Sequence, residues 1–173
     1  MVAHTDEVSS QEKRSIIQFL DSIHFQSKEV FIFIDKSDYQ LFLLQDTVFL
    51  KEYAVVLGSN AIDDKLRQGD GCTPEGIFSL RDKYPHSKWN KFMWIDYPND
   101  HSRKKQAAAI AAGNIAAGTA IGGEVGIHGV PAGMDWLIDQ QRNWTLGCIS
   151  LRNKDVSEVY ERVQQGTRII IRK

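Results

Sequence analysis

The spacing of apolar residues changes from a helical period to a strand period near residue 30. Across residues 9–25, apolar side chains recur on one helical face, namely those of Ile16, Ile17, Leu20 and Ile23. This pattern predicts an amphipathic helix that packs on the outside of the main domain, with Ser9, Ser10 or Thr5 as its N-cap. From residue 30 onward the apolar runs are shorter and are separated by turn residues, which is typical of strands.

Residues 30–57 contain three of these runs, beginning at Val30, Tyr39 and Val48. Because the connections between them are short, they predict an antiparallel meander. The rest of the chain alternates between loops and further elements. We expect a polar loop over 58–71, strands over 77–80, 92–97 and 124–128, a helix over 101–112 and a small-residue loop over 113–123.

The C-terminal segment predicts a helix followed by a strand. Apolar residues recur at helical spacing between residues 156 and 163, and Asp155 with Glu158 forms the sequence signature of a capping box. Gly166 stands where a glycine that ends a helix is expected, and residues 167–171 are β-branched apart from Arg168, which predicts a strand.

These elements predict a mainly β (α+β) domain, shaped like a β-sandwich or barrel, with helices at its margins. We expect residues 1–29 to form an N-terminal helical extension and residues 30–173 to form the main domain. A chain of 173 residues with 42% hydrophobic positions has room for one such domain and its core.

Charge and targeting signals exclude several classes of protein. The 21 Lys and Arg residues nearly balance the 22 Asp and Glu residues, so no basic footprint for nucleic acid or a membrane surface exists. No apolar run has the length of a membrane-spanning helix. The first seven residues lack the basic and apolar regions of a secretory signal. We therefore expect either a cytosolic protein or one whose signal peptide has been removed. We expect a monomer.

The chain has two cysteines and five histidines as candidates for nucleophilic chemistry. Cys72 and Cys148 are too few for a disulfide scaffold or a cysteine-based zinc site, although a single bridge between them stays open. Four of the histidines are predicted to be solvated surface residues: His4, His24, His86 and His101.

His128 and Cys148 stand in a different setting. His128 ends a predicted strand and is followed by Gly129, while Cys148 lies at a turn that enters another strand. In such a turn the backbone N–H groups of residues 146–148 can point into one concavity, as in an oxyanion hole. A neighbouring histidine is the base that a thiol nucleophile needs. The residues alone also allow the alternative of a small buried cysteine and a core histidine.

No metal or cofactor is predicted, because His128 has no acidic or histidine partner at helical spacing.

Several landmarks, taken in order, resemble the L,D-transpeptidase catalytic domain, also called the YkuD domain. They are the opening hairpin of residues 32–35 and 40–43, the Thr-Pro-Glu-Gly turn of residues 73–76, Ile127-His128-Gly129, Thr145-Leu146-Gly147-Cys148-Ile149, Asn153 with Asp155, and the closing run from Gly166 to Ile171. The resemblance covers about residues 30–172 and implies that family's fold and chemistry.

The resemblance implies a ping-pong thiol mechanism on peptidoglycan stem peptides. Cys148 would attack a carbonyl to form a thioester, and His128 would act as the base. The carbonyl of Gly129 would orient the imidazole, in the role that an Asp plays in a serine triad. The backbone N–H groups of Leu146, Gly147 and Cys148 would hold the oxyanion, and Thr145 and Ser150 would complete the substrate-facing set. No cofactor is implied.

Two positions depart from the family pattern. Leu146 replaces a histidine that usually precedes Gly-Cys, and Ser150 replaces an Arg or Asn. Residues 143–149 are similar instead to a divergent branch with a Trp-Thr-x-Gly-Cys motif, some of whose members are hydrolases of peptidoglycan-linked amides. Since both changes would remove polar groups from the mouth of the site, we expect hydrolysis, for example of a diaminopimelate-linked amide, to be favoured over crosslinking. The loop over residues 113–123 is either a flap beside the site or a plain surface loop.

Two other functions remain as alternatives, a sortase-like transpeptidase and an inactive peptide-binding module, whereas the papain-like class does not fit. A sortase also places His before Cys, but its interval between them is much longer. Papain-like cell-wall peptidases place Cys before His, the reverse of this chain. A catalytically inactive module that binds cell-wall peptides would keep the fold without a reactive thiol. Because the family works outside the cytoplasm, the resemblance implies the periplasm or cell envelope.

Overall fold

The computed structural model describes residues 9–173. The suggested Thr5 cap and the predicted surface position of His4 lie outside these residues. Within residues 9–173, four helices and eight strands follow one another as α1 Ser10–Ser22, β1 Val30–Asp35, β2 Gln40–Gln45, β3 Val48–Ala54, β4 Gly76–His86, β5 Asn90–Ile95, α2 Asp100–Ala111, β6 Gly126–His128, α3 Trp136–Asp139, β7 Ile149–Ser150, α4 Asn153–Arg162 and β8 Arg168–Arg172.

All eight strands form one mixed sheet with the order β3-β2-β1-β8-β4-β5-β6-β7. Two neighbouring pairs are parallel, β1 with β8 and β6 with β7, and the other pairs are antiparallel. The C-terminal strand β8 therefore lies in the middle of the sheet, where it joins the N-terminal meander to β4 and β5. The predicted α+β class is confirmed.

Each face of the sheet is covered by a different helix. On one face, Val156 and Val159 of α4 and its C-cap Val163 pack into the main core, which includes Ile127 and Ile149. On the other face, aromatic and aliphatic side chains of β1, β2 and β8 pack against α1. Ile16 and Leu20 are the buried residues of α1, in agreement with the predicted apolar face, and Ser9 is its N-cap. The N-terminal helix thus packs on the sheet of the main domain.

Strand β4 is much longer than the sequence predicts. It runs from Gly76 to His86, and His86 pairs with Asn90 at the hairpin to β5. The predicted strand ended at residue 80 because the residues that follow are mostly polar. Pairing with β5 satisfies their backbone groups, so the strand continues without apolar side chains.

The start and end of α4 also differ from the prediction. The helix begins at Asn153, so Asp155 lies inside its first turn and forms no capping box. The Asn153 N–H is satisfied by the carboxylate of Asp135 at 2.9 Å, a distant contact that no local signature announces. Gly166, with φ +89°, lies in the turn before β8, since the cap of α4 is Val163.

Candidate active site

The parallel pair β6 and β7 brings the two candidate catalytic residues to one face of the sheet. Ile127 pairs with Ile149 and His128 pairs with Ser150. Side chains alternate along a strand, so both isoleucines point into the core while His128 points to the opposite face. Cys148 is two residues before Ser150 and shares the face of His128. Both Cys148 and His128 line a cavity of about 850 Å³.

The turn before Cys148 requires a glycine. Gly147 has φ +143°, and a Cβ added there would lie 2.7 Å from the carbonyl oxygen of Cys72. The Gly147 N–H donates to Thr145 Oγ1 at 3.3 Å, and that hydroxyl donates to the Cys148 carbonyl at 2.6 Å. Thr145 therefore closes the turn, and the expected use of the Gly147 N–H in an oxyanion hole is not supported.

Gly129 allows other parts of the protein to approach His128. A Cβ at Gly129 would lie 2.2 Å from Asn153 Oδ1 and 2.7 Å from the carbonyl of Trp89. The Gly129 N–H donates to that Trp89 carbonyl at 3.0 Å, and the Val130 N–H donates to Asn153 Oδ1 at 3.2 Å. The glycine after His128 thus makes room for the protein's own backbone and side chains.

The imidazole of His128 has a defined tautomer. Its Nδ1 lies 2.6 Å from the carbonyl oxygen of Gly129. Because a carbonyl only accepts hydrogen bonds, Nδ1 carries the proton, and Nε2 is left with a free lone pair. Nε2 is consequently the nitrogen able to act as a base.

Ser150 lies in a different place from the one the sequence suggested. It is fully buried, and its hydroxyl donates to the Gly129 carbonyl at 3.2 Å. The prediction that Ser150 helps to line the mouth of the site is wrong, because its side chain lies beneath the cavity surface, where the Gly129 carbonyl accepts its hydroxyl. Ser150 instead shares with His128 the carbonyl that orients the imidazole.

Burial keeps both candidate groups uncharged. Burial lowers the pKa of His128 from 6.5 to about 4, although the Gly129 hydrogen bond opposes this shift. Burial likewise raises the pKa of the Cys148 thiol to about 11, partly offset by a backbone hydrogen bond from Gly126 and the charge of Lys65. The resting pair near neutral pH is therefore a thiol and a neutral imidazole.

Aromatic rings surround the imidazole of His128. Trp89 stacks on it with 4.6 Å between ring centroids, Phe92 with 5.6 Å, and Trp144 meets it edge-on at 5.6 Å. Trp89 and Phe92 are not among the site candidates drawn from the sequence, and Trp144 appears there only as part of the Trp-Thr-x-Gly-Cys motif. Trp89 lies in the short, polar turn between β4 and β5, and its contact with His128 joins residues too far apart for a local signal.

Two loops form a wall of the cavity. The Gln68 N–H donates to the Ala120 carbonyl at 2.8 Å, so the loop over 58–75 is joined to the one over 113–123. The second loop is also held by Gln106 Nε2, which donates to the Thr119 carbonyl at 3.0 Å. Its far end, at Gly122 and Gly123, lines the cavity.

Two charged residues at the cavity, Lys65 and Glu124, differ in their surroundings. Lys65 is buried and pairs with Asp70 at 2.8 Å. Burial works to raise the pKa of Asp70, but hydrogen bonds from Lys65 and from backbone N–H groups outweigh it and lower that pKa. Glu124 lines the cavity with an exposed carboxylate and φ +57°, and its carbonyl lies 3.5 Å from Cys148 Sγ. Leu146 also lines the cavity and is 84% exposed.

The other histidines divide into two groups. His24 and His101 are exposed, as predicted. The prediction of a solvated loop position for His86 is wrong, because its ring stacks on Trp89 with 4.5 Å between centroids. Within residues 9–173 there is no group of three or more His, Cys, Asp or Glu side chains arranged to hold a metal ion.

Comparison with known proteins assigns the family. The model of the YkuD L,D-transpeptidase catalytic domain matches residues 29–171, and the chain belongs to this family. A search of curated proteins gives no match. Within residues 9–173, no helix is long and apolar enough to cross a bilayer.

Solved structures share the fold at low sequence identity. Pgp2, a helical cell shape determining protein from Campylobacter jejuni, is 19% identical with a TM-score of 0.63, over 90% of this chain and 55% of Pgp2. Bd1075 from Bdellovibrio bacteriovorus is 20% identical with a TM-score of 0.59, over 85% and 48%. An L,D-transpeptidase from Mycobacterium smegmatis is 17% identical with a TM-score of 0.55, over 84% and 59%. The match thus spans about half the length of each of these proteins.

Proposed function

We propose that this protein is a cysteine-dependent acyl transferase or hydrolase that acts on peptidoglycan stem peptides through a thioester on Cys148. One observation carries the proposal. In a domain of the YkuD family, β6 ends at a histidine of fixed tautomer, a cysteine directly precedes its parallel partner β7, and both side chains line one cavity. The stem-peptide substrate follows from the family.

The chemistry begins from the neutral pair. Cys148 Sγ attacks the carbonyl carbon while its proton moves to Nε2 of His128, and the carbonyl π electrons move to the oxygen. When the tetrahedral intermediate collapses, the C–N bond breaks and the leaving amine takes the proton from Nε2. The product of this half-reaction is a thioester on Cys148, with His128 neutral again.

The backbone N–H groups of Leu146 and Cys148 are the proposed oxyanion donors. The Gly147 N–H already donates to Thr145 Oγ1, so it is not included among the oxyanion donors, although the family resemblance implies it. Donors fixed in this way need no reorganisation when charge develops on the substrate oxygen.

The Gly129 carbonyl acts as the orienting group of the triad. Its short contact with Nδ1 favours the imidazolium that forms during the reaction, because the bond gains a charged donor. The Ser150 hydroxyl, which donates to the same oxygen, holds the carbonyl in place.

We propose water as the preferred acceptor of the acyl group. An amine competes with water only when the site gives it a high effective molarity, which requires groups that hold it. The exposed side chain of Leu146 offers no hydrogen bond at the cavity. Ser150 is buried and no longer supports this preference, so Leu146 alone supports it. A stem-peptide substrate implies that the protein works in the cell envelope.

The test is incubation with purified tetrapeptide muropeptides, and with muropeptides that carry an amide-linked lysine, followed by mass spectrometry. We expect released amine or free D-amino acid and few crosslinked dimers, and no products from Cys148→Ala. Abundant 3→3 crosslinked dimers would overturn the preference for water. Binding without any product, in both the parent protein and the variant, would support the inactive binding module instead.

A further inference from the structure

A column of stacked rings leads from the surface of the hairpin between β4 and β5 to the imidazole of His128. His86 stacks on Trp89 with 4.5 Å between centroids and 9° between planes. Trp89 in turn stacks on His128 with 4.6 Å and 24°. The three rings are therefore in successive face contact, and the outer one is itself a histidine.

His86 also holds the backbone of the turn that carries Trp89. Its Nδ1 accepts hydrogen bonds from the N–H groups of Lys88 and Trp89, each at 3.2 Å. An atom that accepts two N–H bonds carries no proton, so the ring is bound as an acceptor and not as a donor at Nδ1. The turn is wrapped around the imidazole of His86.

Trp89 contacts both parts of the His128–Gly129 unit. Its indole ring covers a face of the His128 imidazole, and its carbonyl accepts the Gly129 N–H at 3.0 Å. Gly129 supplies the carbonyl that binds Nδ1 of His128. A displaced Trp89 would therefore change the orientation of the imidazole through two routes at once.

We propose that His86 is a positioning residue, which fixes Trp89 and through it the orientation of the His128 imidazole. This inference rests on the proposed role of His128 as the base. The indole face also favours the imidazolium that forms when the thiol proton moves, since a cation over an aromatic face is attracted by the ring. His86 lies outside the described residues that line the cavity, so it acts without touching substrate.

Two variants separate the stacking of the His86 ring on Trp89 from the hydrogen bonds that its Nδ1 accepts. His86→Asn keeps an oxygen that can accept the two backbone N–H bonds, whereas His86→Phe keeps a stacking ring and loses the acceptor. A misplacement of a catalytic group costs up to about a hundredfold in rate, so we expect His86→Phe to lower kcat by about ten- to a hundredfold. KM should stay unchanged, and His86→Asn should restore most of kcat. His101→Phe, at an exposed position of α2, is the matched control.

A second measurement reads the position of the imidazole without any substrate. The indole ring shifts the NMR signal of the His128 Hε1 proton, because the two rings stack. We expect His86→Phe to move this signal toward that of Trp89→Leu, and His86→Asn to leave it near the parent value. If His86→Phe does not fold, Trp89→Leu against Trp89→Phe decides the same point.

The outcomes distinguish this inference from the proposed function. If Cys148→Ala or His128→Gln stays active, the proposed function fails, whatever the NMR signal shows. If both variants are inactive but His86→Phe keeps the parent kcat and the parent His128 signal, the positioning role is overturned alone. Equal losses of kcat in His86→Asn and His86→Phe would also overturn it, because the acceptor would then be irrelevant.

Discussion

Cys72 and Cys148 lie in two segments that touch each other, yet only one of them has the surroundings of a nucleophile. Burial raises the pKa of both thiols to about 11. The Cys72 thiol is 2% exposed and donates to the Asp70 carbonyl at 3.4 Å, and nearby Asp70 and Asp63 raise its pKa further. Cys148 instead lines the cavity together with His128. Acidity therefore does not distinguish the two cysteines, whereas the cavity that Cys148 shares with His128 does.

The contrast follows from the two local folds. Cys72 belongs to a loop whose acidic residues are used structurally, since Asp70 accepts from the N–H groups of Leu66, Arg67 and Cys72. Cys148 belongs to a turn that opens onto a parallel pair of strands. The first segment supports the second, because the Cys72 carbonyl packs directly against Gly147.

The largest expected effect comes from replacing Cys148, with replacement of Cys72 as the comparison. Cys148→Ala should reduce product formation below detection, because no other group can form the thioester. Cys72→Ser should keep activity near that of the parent protein, since a hydroxyl can still donate to the Asp70 carbonyl. Turnover of tetrapeptide muropeptides measures both. Loss of activity in Cys72→Ser, with retention in Cys148→Ala, would reverse the assignment.

Removal of the base is the next largest effect. His128→Gln should lower kcat/KM by about a hundred- to ten-thousandfold, the usual range for a general base. The exposed residues His24 and His101 supply matched controls, and His24→Gln and His101→Gln should leave the rate unchanged. Activity of the parent protein and of the two control variants should survive EDTA. Inactivation by the chelator with rescue by zinc would favour a metal mechanism instead.

How much of this site the sequence could predict depends on the range of the interactions. The proposed nucleophile and base, Cys148 and His128, rest on local signals in the sequence, and so does the predicted order of α4 and β8. The Trp89 stack and the Asp135 contact to α4 join residues far apart in the chain, and no local pattern announces them. Ser150 was misplaced because its hydroxyl is buried against the Gly129 carbonyl of the neighbouring strand, a contact that the local sequence does not show.

The buried imidazole should make stability depend on pH. The pKa of His128 falls from 6.5 in the unfolded chain to about 4 in the folded one, so the unfolded state binds more protons between these values. This contribution is fully present above the unfolded pKa and is lost as the pH falls toward the folded pKa. It amounts to about 3 kcal/mol at 1.36 kcal/mol per pKa unit.

Urea denaturation at a series of pH values measures this effect in the parent protein and in His128→Gln. The parent protein should lose stability more steeply than the variant as the pH falls through this range. His101→Gln, which removes an exposed histidine, should follow the parent curve. Parallel curves for the parent protein and His128→Gln would show that the imidazole is not held neutral by burial.

The smallest expected effect concerns the carbonyl that orients the imidazole. Ser150→Ala removes one hydrogen bond to Gly129 but leaves the bond from His128. A single hydrogen bond contributes about 1 kcal/mol, so kcat/KM should fall about fivefold. Ser22→Ala removes a hydrogen bond to the Phe19 carbonyl on α1 and should leave kcat/KM unchanged. A loss as large as that of His128→Gln would require a direct role of Ser150 in the reaction.

The most direct test of the account compares the two thiols in the parent protein. Alkylation by iodoacetamide is followed at each cysteine by peptide mass spectrometry between about pH 5 and 9, where an unassisted thiol gains about tenfold in rate per pH unit. We predict that Cys148 reacts faster than Cys72 and with a much flatter pH profile, because neutral His128 accepts its proton throughout this range. His128→Gln should restore the steep profile. Equal rates at the two cysteines, or a steep profile at Cys148 in the parent protein, would contradict the account.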